Sequence, residues 1–227
     1  MNIYELKEKL SLKYDPINLN PETTALVLID IQKVATGEFI EYEAKEILKL
    51  PKEEYKEALE EYNQRINKTL KNCQKILEAC RKKGIRPIHV KLEAKTNDGA
   101  DIGFLYKNAG FLLPKGNYWS QFCEETAPLD EEIVLTKICS GCHVGTDIDR
   151  ILRNLGIKEI IVIGFYTDQC VATTARDFSD LRYTTMVVED AVNAMTQKVH
   201  EEALSHIVNL YVTGGMTDEL VERIESL

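Results

Sequence analysis

The chain has 227 residues, 44% of them hydrophobic, which suits a single domain with an ordinary buried core. Its net charge of -9 argues against a nucleic-acid-binding protein, because such proteins carry a basic face. No apolar run approaches the roughly 20 residues that cross a bilayer, and the N-terminus lacks the apolar core of a signal peptide. We therefore expect a cytoplasmic protein that binds neither nucleic acid nor a membrane.

Apolar runs and helical patterns alternate along the chain. The strongest helical pattern steps by three or four residues from Leu59 to Cys80, and Gly84 is expected to end that helix. Weaker helical patterns cover 148–155, 171–181 and 203–210, the last leading directly into the sixth strand. The predicted strands are the runs at 25–29, 88–92, 133–135, 160–163, 185–188 and 210–212.

The strand runs are almost continuous in Val, Ile and Leu, which is typical of strands buried on both faces of a parallel sheet. Their alternation with helices predicts an α/β fold of the Rossmann-like type, a three-layer α/β/α sandwich with a mostly parallel sheet of about six strands. We predict one domain over residues 1–227, with an N-terminal extension at 1–20 and an enlarged connection at 38–60. That connection is rich in Glu and Lys and fits either a cap over a site or a solvated helix.

Six cysteines in a chain without a signal peptide predict reduced thiols, not a disulfide framework. Cys73 and Cys80 are expected to be small buried residues of the long helix. Cys139 and Cys142, followed by His143, leave open a zinc or redox module. The chain has no second CxxC motif, and no helix pattern begins at this one, which disfavours that alternative.

Three reactive side chains come at the ends of predicted strands. Asp30 follows the first strand, Lys137 follows the third, and Cys170 lies between the fourth strand and a helix. Sheets of this kind bind ligands beyond the carboxyl ends of their strands, so we expect the three on one rim. A thiol at a helix N-terminus beside a cation has its pKa lowered to about 3.5–7.5, and Asp30 suits a general base. Taken singly, an inert buried thiol, a surface lysine and a helix-capping aspartate explain them equally well.

Four segments carry a recognisable set of motifs, in the order 26–32 (LVLIDIQ), 137–156 (KICSGCHVGTDIDRILRNLG), 164–177 (GFYTDQCVATTARD), and 188–191 (VEDA) with His200. They resemble the motifs of the isochorismatase-like superfamily of cysteine hydrolases, and the resemblance spans about residues 22–208. It implies that Asp30, Lys137 and Cys170 form a catalytic triad. It also implies a cis peptide bond between Phe165 and Tyr166, with the backbone amides of Tyr166 and Cys170 as oxyanion donors.

Substrate contacts are predicted from Gln32, His143, Phe165 and Tyr166. In the resembling family, an aromatic wall stands at the position of His143. Histidine keeps the flat shape and adds a hydrogen-bonding group, so we predict that it binds a polar group of the substrate and favours compact polar ureides or carboxylate-bearing amides. The alternative is a histidine that faces solvent or bonds to its own loop.

The presence of Cys170 favours hydrolysis of an amide or ureido C–N bond, because true isochorismatases, which cleave a vinyl ether, lack this cysteine. The nicotinamidase metal motif is absent around His89, which we expect to be packed, so we expect no metal and no other cofactor. We predict a cysteine-dependent amidohydrolase that cleaves a non-peptide C–N bond of a small amide or ureide, in a homodimer or homotetramer. A vinyl ether hydrolase and a non-catalytic binding protein on the same fold remain alternatives.

Overall fold

The computed structural model describes Leu6 and residues 17–227. Six strands form one sheet in the order β3-β2-β1-β4-β5-β6, and every neighbouring pair is parallel. The first strand, β1, lies at the centre of the sheet, so the strand order reverses between β1 and β4. Folds of this kind bind ligands at that position. The strands are β1 (Thr24–Ile29), β2 (Arg86–Leu92), β3 (Ile133–Lys137), β4 (Glu159–Phe165), β5 (Thr184–Asn193) and β6 (Thr213–Gly215).

Helices cover both faces of this sheet. Their bounds are α1 (Gly37–Tyr42), α2 (Lys52–Lys83), α3 (Phe104–Asn108), α4 (Cys142–Gly145), α5 (Ile148–Asn154), α6 (Ala172–Asp180), α7 (Gln197–Ser205) and α8 (Thr217–Glu225). Two π-helical turns, Glu43–Ile47 and Thr167–Val171, extend α1 and precede α6. Within the described residues, no helix is both long enough and apolar enough to cross a membrane.

The central strands are buried on both faces, as their composition predicts. In β1, Leu26 and Leu28 pack in the core beneath α2, whereas Val27 and Ile29 belong to the core on the opposite face, with α5 and α6. Successive strand residues point to opposite faces, so a continuous apolar run supplies both cores at once. The three-layer α/β/α fold expected from the sequence is confirmed.

The long helix ends where the sequence predicts. Gly84 follows α2 with a φ of 77°, a left-handed conformation that glycine adopts without strain. Cys73 and Cys80 are fully buried on α2, beneath the sheet. The chain after Met216, to which the sequence assigned no role, forms α8 and buries Leu220 and Ile224 in the same core.

Two predicted boundaries near the C-terminus are wrong. The helix predicted to continue to residue 210 ends at Ser205, because the backbone amides of residues 210–212 all donate to the carbonyl of Ile207 and close a tight turn there. Asn209 within this turn has a φ of 58°. The sixth strand therefore begins at Thr213, beyond the predicted run at 210–212, and includes Gly214, where any side chain would collide with Glu189.

Parts of the predicted extension and connection can be placed. Of the extension at 1–20, residues 1–5 and 7–16 lie outside the described residues, whereas Ile17 is buried in the core beside α2. The connection at 38–60 divides in two. Its first part is α1 with the π-helical turn, and its second part, from Lys52 onward, is the mostly exposed first turns of α2.

Candidate active site

Asp30 lies directly after β1, at the carboxyl end of a central strand of the sheet. Its backbone amide still donates to the carbonyl of Val90, at 2.9 Å, but its φ of 50° turns the chain away from the strand direction. Its own carbonyl accepts from the amide of Gln32 at 2.8 Å. This turn leaves the carboxylate buried at the carboxyl end of the strand, where it is 6% exposed.

Lys137, the last residue of β3, reaches Asp30 from two strands away. Its side chain is fully buried, and its ammonium nitrogen Nζ lies 2.7 Å from Asp30 Oδ2. The same nitrogen donates to Cys170 Sγ at 3.3 Å and to the backbone carbonyl of Cys139 at 3.0 Å. A buried ammonium persists only with such partners, and here they bring together the three strand-end residues singled out in the sequence.

Cys170 lies in the π-helical turn between β4 and α6. The approach to this turn requires Gly164, which has a φ of 121° and packs so closely on the backbone of Ile29 that no side chain fits. The peptide bond between Phe165 and Tyr166 is cis, as the family resemblance implies. The carbonyl of Tyr166 then accepts the amides of Gln169 and Val171, at 3.1 and 3.2 Å, which fixes the loop that presents the thiol.

The electrostatics of the thiol differ from the expectation. Burial raises the pKa of Cys170 to about 12, and the Asp30 carboxylate adds to this, whereas Lys137 opposes it. The lowered pKa expected for a thiol at a helix N-terminus beside a cation is therefore wrong, because loss of solvent outweighs the cation. Burial also raises the pKa of Asp30, against the effect of Lys137. Burial disfavours the charge of Lys137, but Asp30 and Cys170 outweigh it and hold its pKa well above the ordinary value.

One oxygen of Asp30 remains available. Oδ2 pairs with Lys137, but Oδ1 is buried and has no hydrogen-bond partner among the described residues. An unpaired carboxylate oxygen in a buried site is costly unless it acquires a proton or a donor. The neighbouring Cys170 thiol is such a donor, and its hydrogen bond to the carboxyl group lowers the pKa of Asp30 against the larger rise caused by burial.

Tyr106, on α3, also contacts the thiol, a contact that no pattern in the sequence predicts. Its hydroxyl lies 3.2 Å from Cys170 Sγ and 3.3 Å from Ser140 Oγ, and burial raises its pKa. The residue sits in a five-residue helix without any apolar period, so no pattern predicts which way it points. The segment before α3 is joined to the loop after Lys137, because the amide of Gly103 donates to the carbonyl of Ile138 at 2.7 Å.

A cavity of about 490 Å³ opens above the thiol. Asp30 and Cys170 contribute to its lining, and so do Phe165 and Tyr166, whose contact with a substrate stays a prediction. Phe39, Ile40 and Glu43, from the first part of the 38–60 connection, also form part of the cavity wall. The other lining residues are Val34, Ala35, Leu92, Leu105, Tyr106, Ala109, Phe111, Leu113, Gln169 and Met195.

The structure contradicts the substrate contact predicted for Gln32, which is fully buried and does not line the cavity. Its Nε2 donates to the carbonyls of Leu92 and Ser120, at 3.0 and 2.7 Å, and its Oε1 accepts the amide of Leu92 at 2.7 Å. All three of these hydrogen bonds join the Gln32 side chain to backbone groups. Gln32 therefore joins β1 to the end of β2 and positions the turn at Asp30.

His143 is likewise absent from the cavity wall, so the predicted contact with a polar group of the substrate is wrong for this cavity. It lies on α4, half-buried, and its Nδ1 has no hydrogen-bond partner within the described part of the chain. Its interaction with Asp177 on α6 lowers the pKa of that carboxyl, against a larger rise caused by burial. The imidazole thus faces α6.

The cysteine pair beside Lys137 does not assemble a metal site. Within residue 6 and residues 17–227, no three His, Cys, Asp or Glu side chains are grouped so that they could hold a metal ion. Cys142 is fully buried, and its amide binds Thr174 Oγ1 at 3.2 Å. His89 is a buried residue of β2 and pairs with Glu132, with 2.9 Å between Nε2 and Oε2.

This fold and this group of side chains define an isochorismatase-like hydrolase. The family model of the isochorismatase domain matches residues 24–218, so the chain belongs to that family. Over 95% of the chain, the structure superposes on 99% of a cysteine hydrolase from Pseudomonas syringae pv. phaseolicola 1448A, with a TM-score of 0.76 and 26% identity.

Two further relatives carry named activities. N-carbamoylsarcosine amidase from Thermoplasma acidophilum is 26% identical, with a TM-score of 0.65, over 86% of this chain and 97% of its own. Ureidoacrylate amidohydrolase from Klebsiella pneumoniae subsp. pneumoniae is 38% identical over 84 residues, which are 37% of this chain and 36% of that protein. The second match thus spans about a third of either protein.

Proposed function

We propose that this protein is a cysteine-dependent amidohydrolase that cleaves a non-peptide C–N bond of a small amide or ureide. The observation that carries the proposal is the position of Lys137 Nζ, 2.7 Å from Asp30 Oδ2 and 3.3 Å from Cys170 Sγ, beside a cavity of substrate size. A thiol, a proton acceptor and a buried cation in contact are the parts that nucleophilic acyl transfer requires. The two amidases among the relatives support the same reaction class.

In the first half of the reaction, Cys170 Sγ attacks the substrate carbonyl carbon while its proton passes to Asp30 Oδ1. The oxyanion that forms is stabilised by the backbone amides of Tyr166 and Cys170, at the turn before α6. Lys137 stays protonated and stabilises the negative charge as it moves from the carboxylate to the sulfur. Asp30 then returns the proton to the leaving nitrogen, the C–N bond breaks, and ammonia or an amine departs from a thioester.

In the second half, water attacks the thioester carbon and Asp30 accepts its proton. The C–S bond breaks, the proton returns to the sulfur, and the carboxylic acid leaves. The neutral resting thiol fits this cycle, because the proton donated to the leaving group is the one that Cys170 holds before attack. Phe165 and Tyr166 flank the carbonyl from the cavity wall in this arrangement.

The test is ammonia release from a panel of small amides and ureides by the wild type and by Cys170→Ala. Loss of the nucleophile should lower turnover by roughly 1,000-fold or more. Mass spectrometry of wild-type protein quenched during turnover should show an acyl group on Cys170. Cys80→Ala, which removes a buried thiol of α2, is the matched control and should retain activity. Wild-type turnover in Cys170→Ala would refute covalent catalysis.

A further inference from the structure

The cavity wall contains acidic side chains but no basic one among the described residues. Its two charged members are Asp30, which is paired with the buried Lys137, and Glu43, at the end of α1. Glu43 forms no ion pair within the described chain segments, and burial raises the pKa of its carboxyl. A substrate carboxylate in this cavity would therefore meet an acid and no cation.

Two basic side chains that contact segments of the wall are already engaged. The guanidinium of Arg65 donates to Asn193 Oδ1 at 2.7 Å and to the carbonyls of Ala194 and Met195, at 3.0 and 2.7 Å. Lys33 lies over the ring of Tyr118, 4.2 Å from its centroid, and donates to its hydroxyl at 2.9 Å. Arg65 and Lys33 hold the segments that carry wall residues, and neither lines the cavity.

Most of the remaining wall is apolar, and Gln169 with the hydroxyls of Tyr106 and Tyr166 are its uncharged polar members. Phe39 on α1 packs against Phe111 and Trp119, with ring centroids 5.6 and 5.0 Å apart. Ile40 and Leu105 line the same cavity, from α1 and α3. Such a wall gains free energy by burying hydrocarbon, and it offers a carboxylate no cation in exchange for its lost hydration.

Resting on the proposed hydrolysis, we infer that the acyl portion of the substrate is an uncharged, apolar group, and that carboxylate-bearing amides and ureides are excluded. This preference separates the protein from the two named relatives, because ureidoacrylate and N-carbamoylsarcosine both carry a carboxylate. The reaction takes a neutral R–CO–NH₂ and one water to R–COOH and ammonia. The acid ionises once formed, and Glu43 then repels it from the cavity.

Hexanamide and adipamate test this inference as a matched pair, because both have six carbons and they differ only in a terminal methyl or carboxylate. Calorimetric titration into Cys170→Ala separates binding from chemistry. Hexanamide should bind measurably, and adipamate should bind about 100-fold or more weakly, since an unpaired or like charge in such a site costs several kcal/mol, or factors of hundreds. Wild-type kcat/KM for ammonia release should differ in the same direction.

A charge reversal at Glu43 provides the second arm. Glu43→Lys should raise the kcat/KM ratio of adipamate to hexanamide by about 10-fold or more relative to wild type, because it places a cation on the wall. Glu46→Lys is the control, since Glu46 is an exposed residue of the same turn that pairs with Lys45 and Lys49 and does not line the cavity. That control should leave the ratio unchanged.

The outcomes separate the two proposals. Binding of adipamate to Cys170→Ala as tightly as hexanamide, or no binding of hexanamide, overturns the apolar-acyl inference. An unchanged ratio in Glu43→Lys also counts against it. If hexanamide binds to Cys170→Ala but the wild type releases no ammonia from any amide, the proposed hydrolysis fails instead. Cys170-dependent turnover of adipamate as fast as that of hexanamide leaves the hydrolase standing and removes the preference.

Discussion

The hydroxyl of Tyr106 lies 3.2 Å from Cys170 Sγ, so the thiol has a second polar neighbour besides Lys137. A phenol at this distance donates a hydrogen bond to the sulfur once the thiol has given its proton to Asp30. The same group orients the sulfur in the resting site, together with Ser140 at 3.3 Å from the phenol. Tyr106 therefore belongs to the group of residues that touch the reacting atom.

Tyr106→Phe should lower kcat/KM for amide hydrolysis by about fivefold, the loss expected for one hydrogen bond of about 1 kcal/mol that forms fully in the transition state. The ring remains, so the cavity keeps its shape. Steady-state kinetics give the effect, and the midpoint of urea unfolding should change little. A fall in stability without a change in kcat/KM would assign Tyr106 a packing role only.

Asp30→Asn should have opposite effects on thiol reactivity and on turnover. The pKa of Cys170 is raised to about 12, first by burial and then by the Asp30 carboxylate, so the thiolate forms only as the pH rises towards that value. Alkylation of the wild-type thiol by iodoacetamide should therefore be slow at pH 7 and faster at each higher pH. The asparagine removes one cause of the rise and keeps Lys137, so alkylation at pH 8 should be faster than in the wild type.

Amide hydrolysis by Asp30→Asn should fall by roughly 1,000-fold, since no group remains to carry the proton to the leaving nitrogen. Alkylation rates from pH 6 to 10, followed by mass spectrometry of the Cys170 peptide, provide the measurement. The buried Cys73 serves as the internal control, because it lies far from Asp30 in sequence and on α2. Slower alkylation in the variant would contradict this electrostatic account.

Lys137→Met should destabilise the fold by about 3–5 kcal/mol, because it leaves the carboxylate of Asp30 buried without its cation. The double variant Asp30→Asn with Lys137→Met removes both charges and should recover most of that stability. It should recover no activity. Urea unfolding at pH 7 measures the first effect, and ammonia release measures the second. Equal instability of the single and double variants would show that Lys137 stabilises the fold by packing alone.

The positions of Asp30, Lys137 and Cys170 could be predicted because the end of a buried strand can be recognised from the sequence alone. Each residue follows an apolar run, and parallel strands place their carboxyl ends along one edge of the sheet. The near-continuous burial of β1 and β4 likewise follows from composition. The fold class and the grouping of these three residues therefore needed no knowledge of side-chain orientation.

The features that the sequence missed all depend on three-dimensional surroundings. The pKa of Cys170 depends on how much solvent the cavity walls exclude, which no local pattern encodes. Tyr106 approaches the thiol from a short helix without periodicity. Gln32 and His143 each follow a strand that ends at the site. Hydrogen bonds to backbone groups hold Gln32 away from the cavity, and His143 faces α6 instead. These contacts depend on the direction that each loop takes after the carboxyl end of its strand, which the sequence pattern does not specify.

Chelation should leave the activity intact. No three potential ligands cluster within the part of the chain that the structure describes, and the proposed mechanism assigns the role of the cation to Lys137. Prolonged dialysis against EDTA should therefore change kcat/KM by less than about twofold, within the usual error of the assay. Metal analysis of the dialysed protein supplies the control for complete removal. Activity lost on dialysis and restored by zinc or manganese would contradict the prediction.

The protein is expected to assemble into a homodimer or homotetramer through the surface around α3. Phe104 is 80% exposed and Leu105 is 53% exposed, and Leu105 also lines the cavity, so apolar surface extends from the cavity out to solvent. Exposed apolar groups next to a ligand cavity are typical of protein contact sites. A second copy packed on this surface would cover these side chains and narrow access to the thiol.

Phe104→Glu should shift the protein towards monomer, because it places a charge within that contact, and it should raise KM more than it lowers kcat. Leu129→Glu is the matched control. Leu129 is 58% exposed and lies near the amino-terminal end of β2, whereas Cys170 lies beyond the carboxyl ends of the strands. Size-exclusion chromatography with light scattering at several concentrations measures the mass of each variant. A monomeric wild type at all of these concentrations would refute the assembly, and an unchanged mass for Phe104→Glu would place the interface elsewhere.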